Sequence, residues 1–125
     1  MKIMNDHQIE KEIVAKGKTA PRVTLEHIKS LIRSEAYFTA TDGASSPNAH
    51  VMSECCEGER ILAPLDCLTF CVIVLRNGFT VTGESACASP ENFDAEIGRK
   101  IARDNAVNKI WLLEGYLLKQ KLSEQ

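Results

Sequence analysis

The sequence predicts an α+β domain: an antiparallel β-hairpin or small sheet packed against a long C-terminal helix and an N-terminal helix. Three observations carry the prediction. Residues 67–76 form an apolar run of strand length that stops at Asn77-Gly78, a dipeptide suited to a hairpin turn. Ser89-Pro90-Glu91-Asn92 has the order of a helix start, with Ser at the cap and Pro in the first turn. Beyond it, Phe93, Ile97, Ile101, Val107, Ile110, Trp111 and Leu113 supply the apolar face of one long helix.

The elements follow in order. Residues 1–20 are polar and mixed in charge, with Ile9, Ile13 and Val14 as the apolar members, and read as a flexible or helical arm that docks on a partner subunit. Residues 21–118 read as the single domain. Within it, residues 23–38 have a helical period in Leu25, Ile28, Leu31, Ile32 and Ala36. Pro21 precedes this helix, Thr24 caps it and Glu26 favours its positive end. Residues 39–64 form a loop insert rich in turn formers, among them Asp42-Gly43 and Ser46-Pro47-Asn48, with Ala49–Glu54 as a short edge strand. Folding the hairpin about a two-residue turn at Asn77-Gly78 pairs Val74 with Val81, Val72 with Gly83 and Ile73 with Thr82. Gly83 is expected at a bulge or at a close approach of another backbone. Gly115 is the expected stop of the long helix, and 119–125 a polar tail.

Both faces of 67–76 are apolar, so the hairpin needs cover beyond one helix, from a third strand in the 49–63 region and from a second subunit. A homo-oligomer is therefore expected. With 15 basic and 17 acidic side chains the formal charge is -2, which argues against nucleic acid or an anionic membrane as a partner. No apolar run has the ~20 residues of a membrane span, and the first residues lack the apolar core of a signal peptide. A cytoplasmic protein is expected. Five cysteines, an odd number, read as free thiols in a reducing compartment.

No catalytic, metal-binding or cofactor-binding pattern stands out, and an enzyme is not expected. Cys87, just before the helix start, has the position of an activated thiol but no histidine is placed near it by spacing; a space-filling thiol beside Leu68 is the simpler reading. Cys55-Cys56, with His50 and Glu54, is a vicinal pair without zinc-ligand spacing. The candidate ligand site is cationic. Arg99, Lys100 and Arg103 share one side of the long helix, and with Thr80 and Thr82 of the hairpin and Asn92 at the helix start they make a candidate pocket for a phosphate or another small anion. The backbone amides of Asn92 and Phe93 add to it. The competing reading is a solvated helix face with internal ion pairs.

The run LTFCVIVLRNGFTVTGESACASPENFDAEIGRKIARDNAVNKIWLLEGYLL, with VTLEHIKSLIRSEAYFTATDG before it, resembles a family of small tailed-phage proteins. That family is typified by a coliphage N4 gene product and a Shigella phage Sf6 gene, and the likeness spans roughly Val23 to Leu118. It carries over no catalytic residue. It implies a viral accessory protein that acts inside a bacterial cell by stoichiometric binding. The ligand would be a small anionic host nucleotide signal, sequestered as a counter-defence. The alternative is a module that docks on a host enzyme or phage replication component.

Overall fold

The computed structural model describes residues 6–18, 20–52 and 63–125. The elements are helices α1 (Asp6–Ala15), α2 (Leu25–Leu31), α3 (Ala40–Ala44) and α4 (Ala95–Ser123), and strands β1 (Ile32–Thr39), β2 (Leu68–Leu75) and β3 (Thr80–Ala86). Short 3-10 turns occupy Ala63–Cys67 and Pro90–Asn92. The strands form one antiparallel sheet in the order β1-β2-β3. The α+β class expected from sequence is the class observed.

β2 alternates cleanly. Cys71, Ile73 and Leu75 are buried, while Leu68, Phe70, Val72 and Val74 are half-buried on the opposite face. α4 crosses the buried face. The core there is Cys71, Ile73, Leu75 and Val81 from the sheet, Ala102, Ala106, Val107 and Ile110 from α4, and Ile28 from α2. On the opposite face Phe38 and Phe70 pair with ring centroids 5.9 Å apart, a separation typical of tilted aromatic contacts.

The helix stripe against the sheet is made of small residues. Gly98, Ala102 and Ala106 recur every fourth position, so the α4 backbone comes close to the strands. Gly83 completes the contact. A Cβ there would collide with the Ala102 carbonyl and the Ala106 amide, which is the close backbone approach the strand glycine predicted. Asn105 Nδ2 then donates to the Glu84 carbonyl at 2.8 Å, satisfying one exposed acceptor on the β3 edge.

Several expectations are corrected. The helix expected over 23–38 covers only Leu25–Leu31, and Ile32–Thr39 is β1. Thr24 does cap α2, accepting from the His27 amide at 3.1 Å. Tertiary pairing overrides the helical period of the second half, because Ser34 to Thr39 pair with Val74 to Thr69. β1 is therefore the third strand, and residues 49–52 carry no strand; the rest of the segment expected there lies outside the described residues.

The hairpin register differs by one. Leu75 pairs with Phe79, the Gly78 amide donates to the Leu75 carbonyl at 2.9 Å, and Gly78 takes φ +92°. The loop is thus Arg76-Asn77-Gly78, a turn followed by a left-handed glycine, rather than a two-residue turn. Cys71 consequently faces Gly83 and Ile73 faces Val81. The one-residue slip moves Val81 and Gly83 to the helix side.

α4 also starts and ends later than expected. Ser89 makes no side-chain cap, and Pro90–Asn92 is a single turn. Asp94 is the cap, accepting from the Glu96 and Ile97 amides at 2.9 and 3.1 Å. Gly115 lies inside the helix, which continues through the expected tail to Ser123. Ile97 and Ile101, expected in the buried face, are 55% and 46% exposed, because the stripe of small residues takes their place. The arm is helical over Asp6–Ala15 and contacts its own chain. Arg22 holds Glu10 through two bonds of 3.0 and 2.9 Å, and Trp111 Nε1 donates to Asp6 Oδ2 at 3.3 Å.

Two glycines test this account in opposite directions. Gly83→Ala is expected to lower unfolding free energy by about 3 kcal/mol, since backbone on both sides must move. Gly115→Ala, where a Cβ meets nothing within 4 Å, is expected to raise it by about 0.8 kcal/mol. Urea denaturation followed by circular dichroism measures both.

Candidate functional site

The six residues expected to line an anion pocket do not converge. Thr80 and Thr82 are exposed on the sheet face away from α4, with Lys109 Nζ reaching Thr82 Oγ1 at 3.5 Å. Asn92 lines a pocket of about 160 Å³ with Cys67, Cys87 and Ile101. The Asn92 and Phe93 amides are already used, donating to the Ser89 and Pro90 carbonyls at 2.9 and 3.1 Å. Lys100 lies in solvent, paired with Glu96 at 3.4 Å.

Arg103 is turned inward across the sheet. Its Nε and Nη2 bind both oxygens of Glu35 on β1 at 3.0–3.1 Å. Tyr37 donates its hydroxyl to the same carboxylate at 2.7 Å. Hydrogen bonding by Arg103 holds the Glu35 carboxyl below the usual carboxylate range, against the opposing effect of burial. Burial, and then the bond to Glu35, pushes the Tyr37 hydroxyl well above the usual phenol range. This cluster ties α4 to the edge strand and commits Nε and Nη2 of Arg103 to a carboxylate that offsets its charge.

Arg99 is different. It lines a cleft of about 160 Å³ with Tyr37, Phe38, Thr39, Asp42, Thr69, Phe93 and Ala95. No ion pair or hydrogen bond engages its guanidinium among the described residues. Thr69, only 3% exposed, contributes a buried hydroxyl with no hydrogen-bond partner among the described residues. Burial without a partner is costly for a hydroxyl, so an unmet group in the wall of a cleft is a candidate ligand contact. Its isolation follows from the helix above it: Gly98 passes so close that an added Cβ would lie 3.0 Å from Thr69 Oγ1.

The other wall is built by α3. Thr39 and Asp42 form a capping box, with the Thr39 amide donating to Asp42 Oδ2 at 2.9 Å and the Asp42 amide to Thr39 Oγ1 at 3.2 Å. That box fixes the turn from β1 into α3. Phe93 gives the cleft an aromatic side. Sequence reasoning found Arg99 but not Thr69, which sits within the apolar run 67–76, or the Thr39–Asp42 box, which the expected loop insert concealed.

A larger groove of about 320 Å³ runs between the start of α2 and the far half of α4. Its Arg22 is bound to Glu10 and its His27 to Glu114, at 2.9 and 2.8 Å. Lys121 is the other cationic side chain in its lining. Cys55-Cys56 and Glu54 lie outside the described residues. Among the described residues, no group of three or more His, Cys, Asp or Glu side chains is arranged to hold a metal ion. No described helix is long and apolar enough to cross a membrane.

A family model for phage proteins, the N4 Gp49/phage Sf6 gene 66 family, matches residues 23–122. No curated protein and no solved structure matches the chain significantly.

The Glu35–Arg103 pair sets an acid response. The folded pKa of Glu35 lies below its unfolded value, so the contribution to stability is full above about pH 5 and is lost as pH falls through the lowered pKa. The urea midpoint of the natural protein is expected to drop more steeply below pH 5 than that of Glu35→Gln. At neutral pH Arg103→Ala is expected to cost about 1 kcal/mol, because the pair is partly exposed.

Proposed function

Since the chain belongs to the N4 Gp49/phage Sf6 gene 66 family of phage proteins, we propose that it is a stoichiometric binding protein that captures a small anionic ligand in the Arg99 cleft. The observation that carries this reading is the pairing of an unengaged guanidinium with a buried, unpartnered hydroxyl on the walls of one cleft. Arg presents a planar fork of donors suited to phosphate or carboxylate, and the Thr69 hydroxyl adds a neutral donor. Both groups gain bonds from a ligand and lose none made within the described protein.

The cleft is smaller than the ~300 Å³ and upward of a typical small-molecule pocket. It therefore takes one phosphate-sized group, while the rest of the ligand lies on the open side against Phe93. A nucleotide signal of the host, with a charged phosphate and a planar base, fits that division. Sequestering such a signal inside an infected bacterium would act as a counter-defence, and would need no catalytic residue.

Isothermal titration tests the cleft directly, with cyclic nucleotides, ADP-ribose derivatives and inorganic phosphate as separate titrants. At least one organic phosphate is expected to bind, at least tenfold more weakly in Arg99→Ala and unchanged in Lys100→Ala. No heat with any titrant, or equal binding by Arg99→Ala, would sink the reading.

A second reading concerns assembly, and the far half of α4 favours it. The sheet-facing series Ala102, Ala106 and Ile110 continues at helical spacing as Leu113 and Leu117, past the contact with the sheet. There Leu112, Leu113, Tyr116 and Leu117 are 75%, 37%, 70% and 51% exposed. We propose that a second copy covers this seam through an antiparallel two-fold pairing. An axis between Glu114 and Gly115 would set Leu112 against Leu117 and Leu113 against Tyr116, a self-complementary pattern. Light scattering at micromolar protein is expected to give a dimer, and Leu117→Glu a monomer. A monomer mass for the natural chain would overturn the pairing and favour a host enzyme or phage replication component as the seam's partner.

A further inference from the structure

Two thiols lie outside the proposed cleft. Continuing the β2–β3 register one pair beyond Leu68 and Ala86 sets Cys67 opposite Cys87. The Cys87 amide donates to the Cys67 carbonyl at 3.1 Å. By the alternation of β2, Cys67 shares the helix-facing side of the sheet with Cys71 and Ile73. Both thiols line the pocket beside the first turn of α4, with Asn92, Phe93, Asp94 and Ile97, and both are free.

We propose that Cys67 and Cys87 are a redox-active dithiol that closes reversibly to a cross-strand disulfide. Directly opposed residues of a hydrogen-bonded antiparallel pair have Cα atoms about 5.5 Å apart, within the range a disulfide spans. Their Cβ atoms, at about 5 Å, are roughly 1 Å further apart than in a relaxed bridge. Closing the bond therefore requires the strand ends to shift. They are placed to do so, because Cys67 ends the 3-10 turn Ala63–Cys67 and Cys87 lies just past β3. A bridge formed with that residual strain is readily reduced, as reversible disulfides are.

The two thiols have unequal roles. Cys67 is 8% exposed, whereas Cys87 is more open. Burial, and then the neighbouring Cys87, pushes the Cys67 thiol above the usual range. Cys87 is thus the attacking thiol and Cys67 the resolving one. With a low-molecular-weight disulfide as oxidant, deprotonated Cys87 attacks one of its sulfurs, forming a mixed disulfide and expelling one small thiolate. Cys67 then gives up its proton, attacks the Cys87 sulfur and expels the second small thiol. Two protein thiols lose two electrons and two protons in all, and one small disulfide becomes two thiols.

Closure also changes the approach to α4. The Cys87 thiol donates to the Ser89 carbonyl at 3.1 Å, and the bridge removes that donor. Ser89 precedes the Pro90–Asn92 turn that leads to the Asp94 cap. Phe93, between turn and cap, lines both this pocket and the Arg99 cleft.

The test uses the full chain with Cys55→Ser and Cys56→Ser, so that the vicinal pair takes no part, incubated with oxidised glutathione. Intact mass is expected to fall by two hydrogens, with peptide mapping placing the bond between Cys67 and Cys87 and dithiothreitol reversing it. Adding Cys67→Ser is expected to stop the reaction at one glutathione on Cys87, and adding Cys87→Ser to leave Cys67 unmodified. Circular dichroism checks that each variant is folded. A stable glutathione adduct on Cys87 with Cys67 present, a bond to Cys71 instead, or no reaction at either thiol would overturn the proposal.

Discussion

The contact between Gly83 and the α4 backbone is the constraint on which the other features depend. It sets how deeply the helix lies on the sheet. At that depth the small Gly98, Ala102 and Ala106 line the closest part of the contact, and the larger Ile97 and Ile101 are turned outward. The same closeness lets Asn105 reach the β3 edge and Arg103 reach across to Glu35 on β1. Both edge strands are thereby tied to one helix. The unmet Thr69 hydroxyl is a further result, since Gly98 passes over it without offering a partner.

Much of this fold was legible in residue order. The hairpin strands, the Thr24 cap and the close approach at Gly83 each follow from local chemistry. What misled was local evidence that a distant partner overrode. Ile32–Thr39 carries helical spacing in part, and the bulge near Arg33 interrupts the strand alternation that would have corrected it. Its strand state is decided by β2, more than thirty residues later. The turn differed for another reason: Asn77-Gly78 suits both a two-residue turn and the end of a three-residue loop, and only the helix contact selects the register that brings Gly83 inward. Ser89-Pro90 likewise marks a turn, and Asp94 a few residues later has the better cap geometry.

The candidate site was legible to a lesser degree. Arg99 and Arg103 look alike in sequence, each a cation on an amphipathic helix. They are separated by Glu35, 68 residues from Arg103 along the chain and on the strand whose sequence reads as helix. One arginine becomes part of the framework and the other is left open. Thr69 was hidden for the opposite reason, as a polar residue inside an apolar run whose hydroxyl would ordinarily find a backbone partner. The proposed binding reading thus rests on what is left unsatisfied, which no spacing rule encodes.

The docking of α1 has an optical consequence. Trp111 is the chain's one tryptophan, and its indole is bonded to Asp6 in the arm while its ring packs at the edge of the core. The arm is otherwise held by polar bonds from Arg22 and by Lys29 beside His7, and α1 contains no buried residue. Its attachment is therefore weaker than the cohesion of the sheet and α4. A fluorophore at that junction senses the arm's departure as a change in its own hydration while the helix-on-sheet core stays folded. The emission of this single indole can thus resolve two levels of order that a backbone signal would merge.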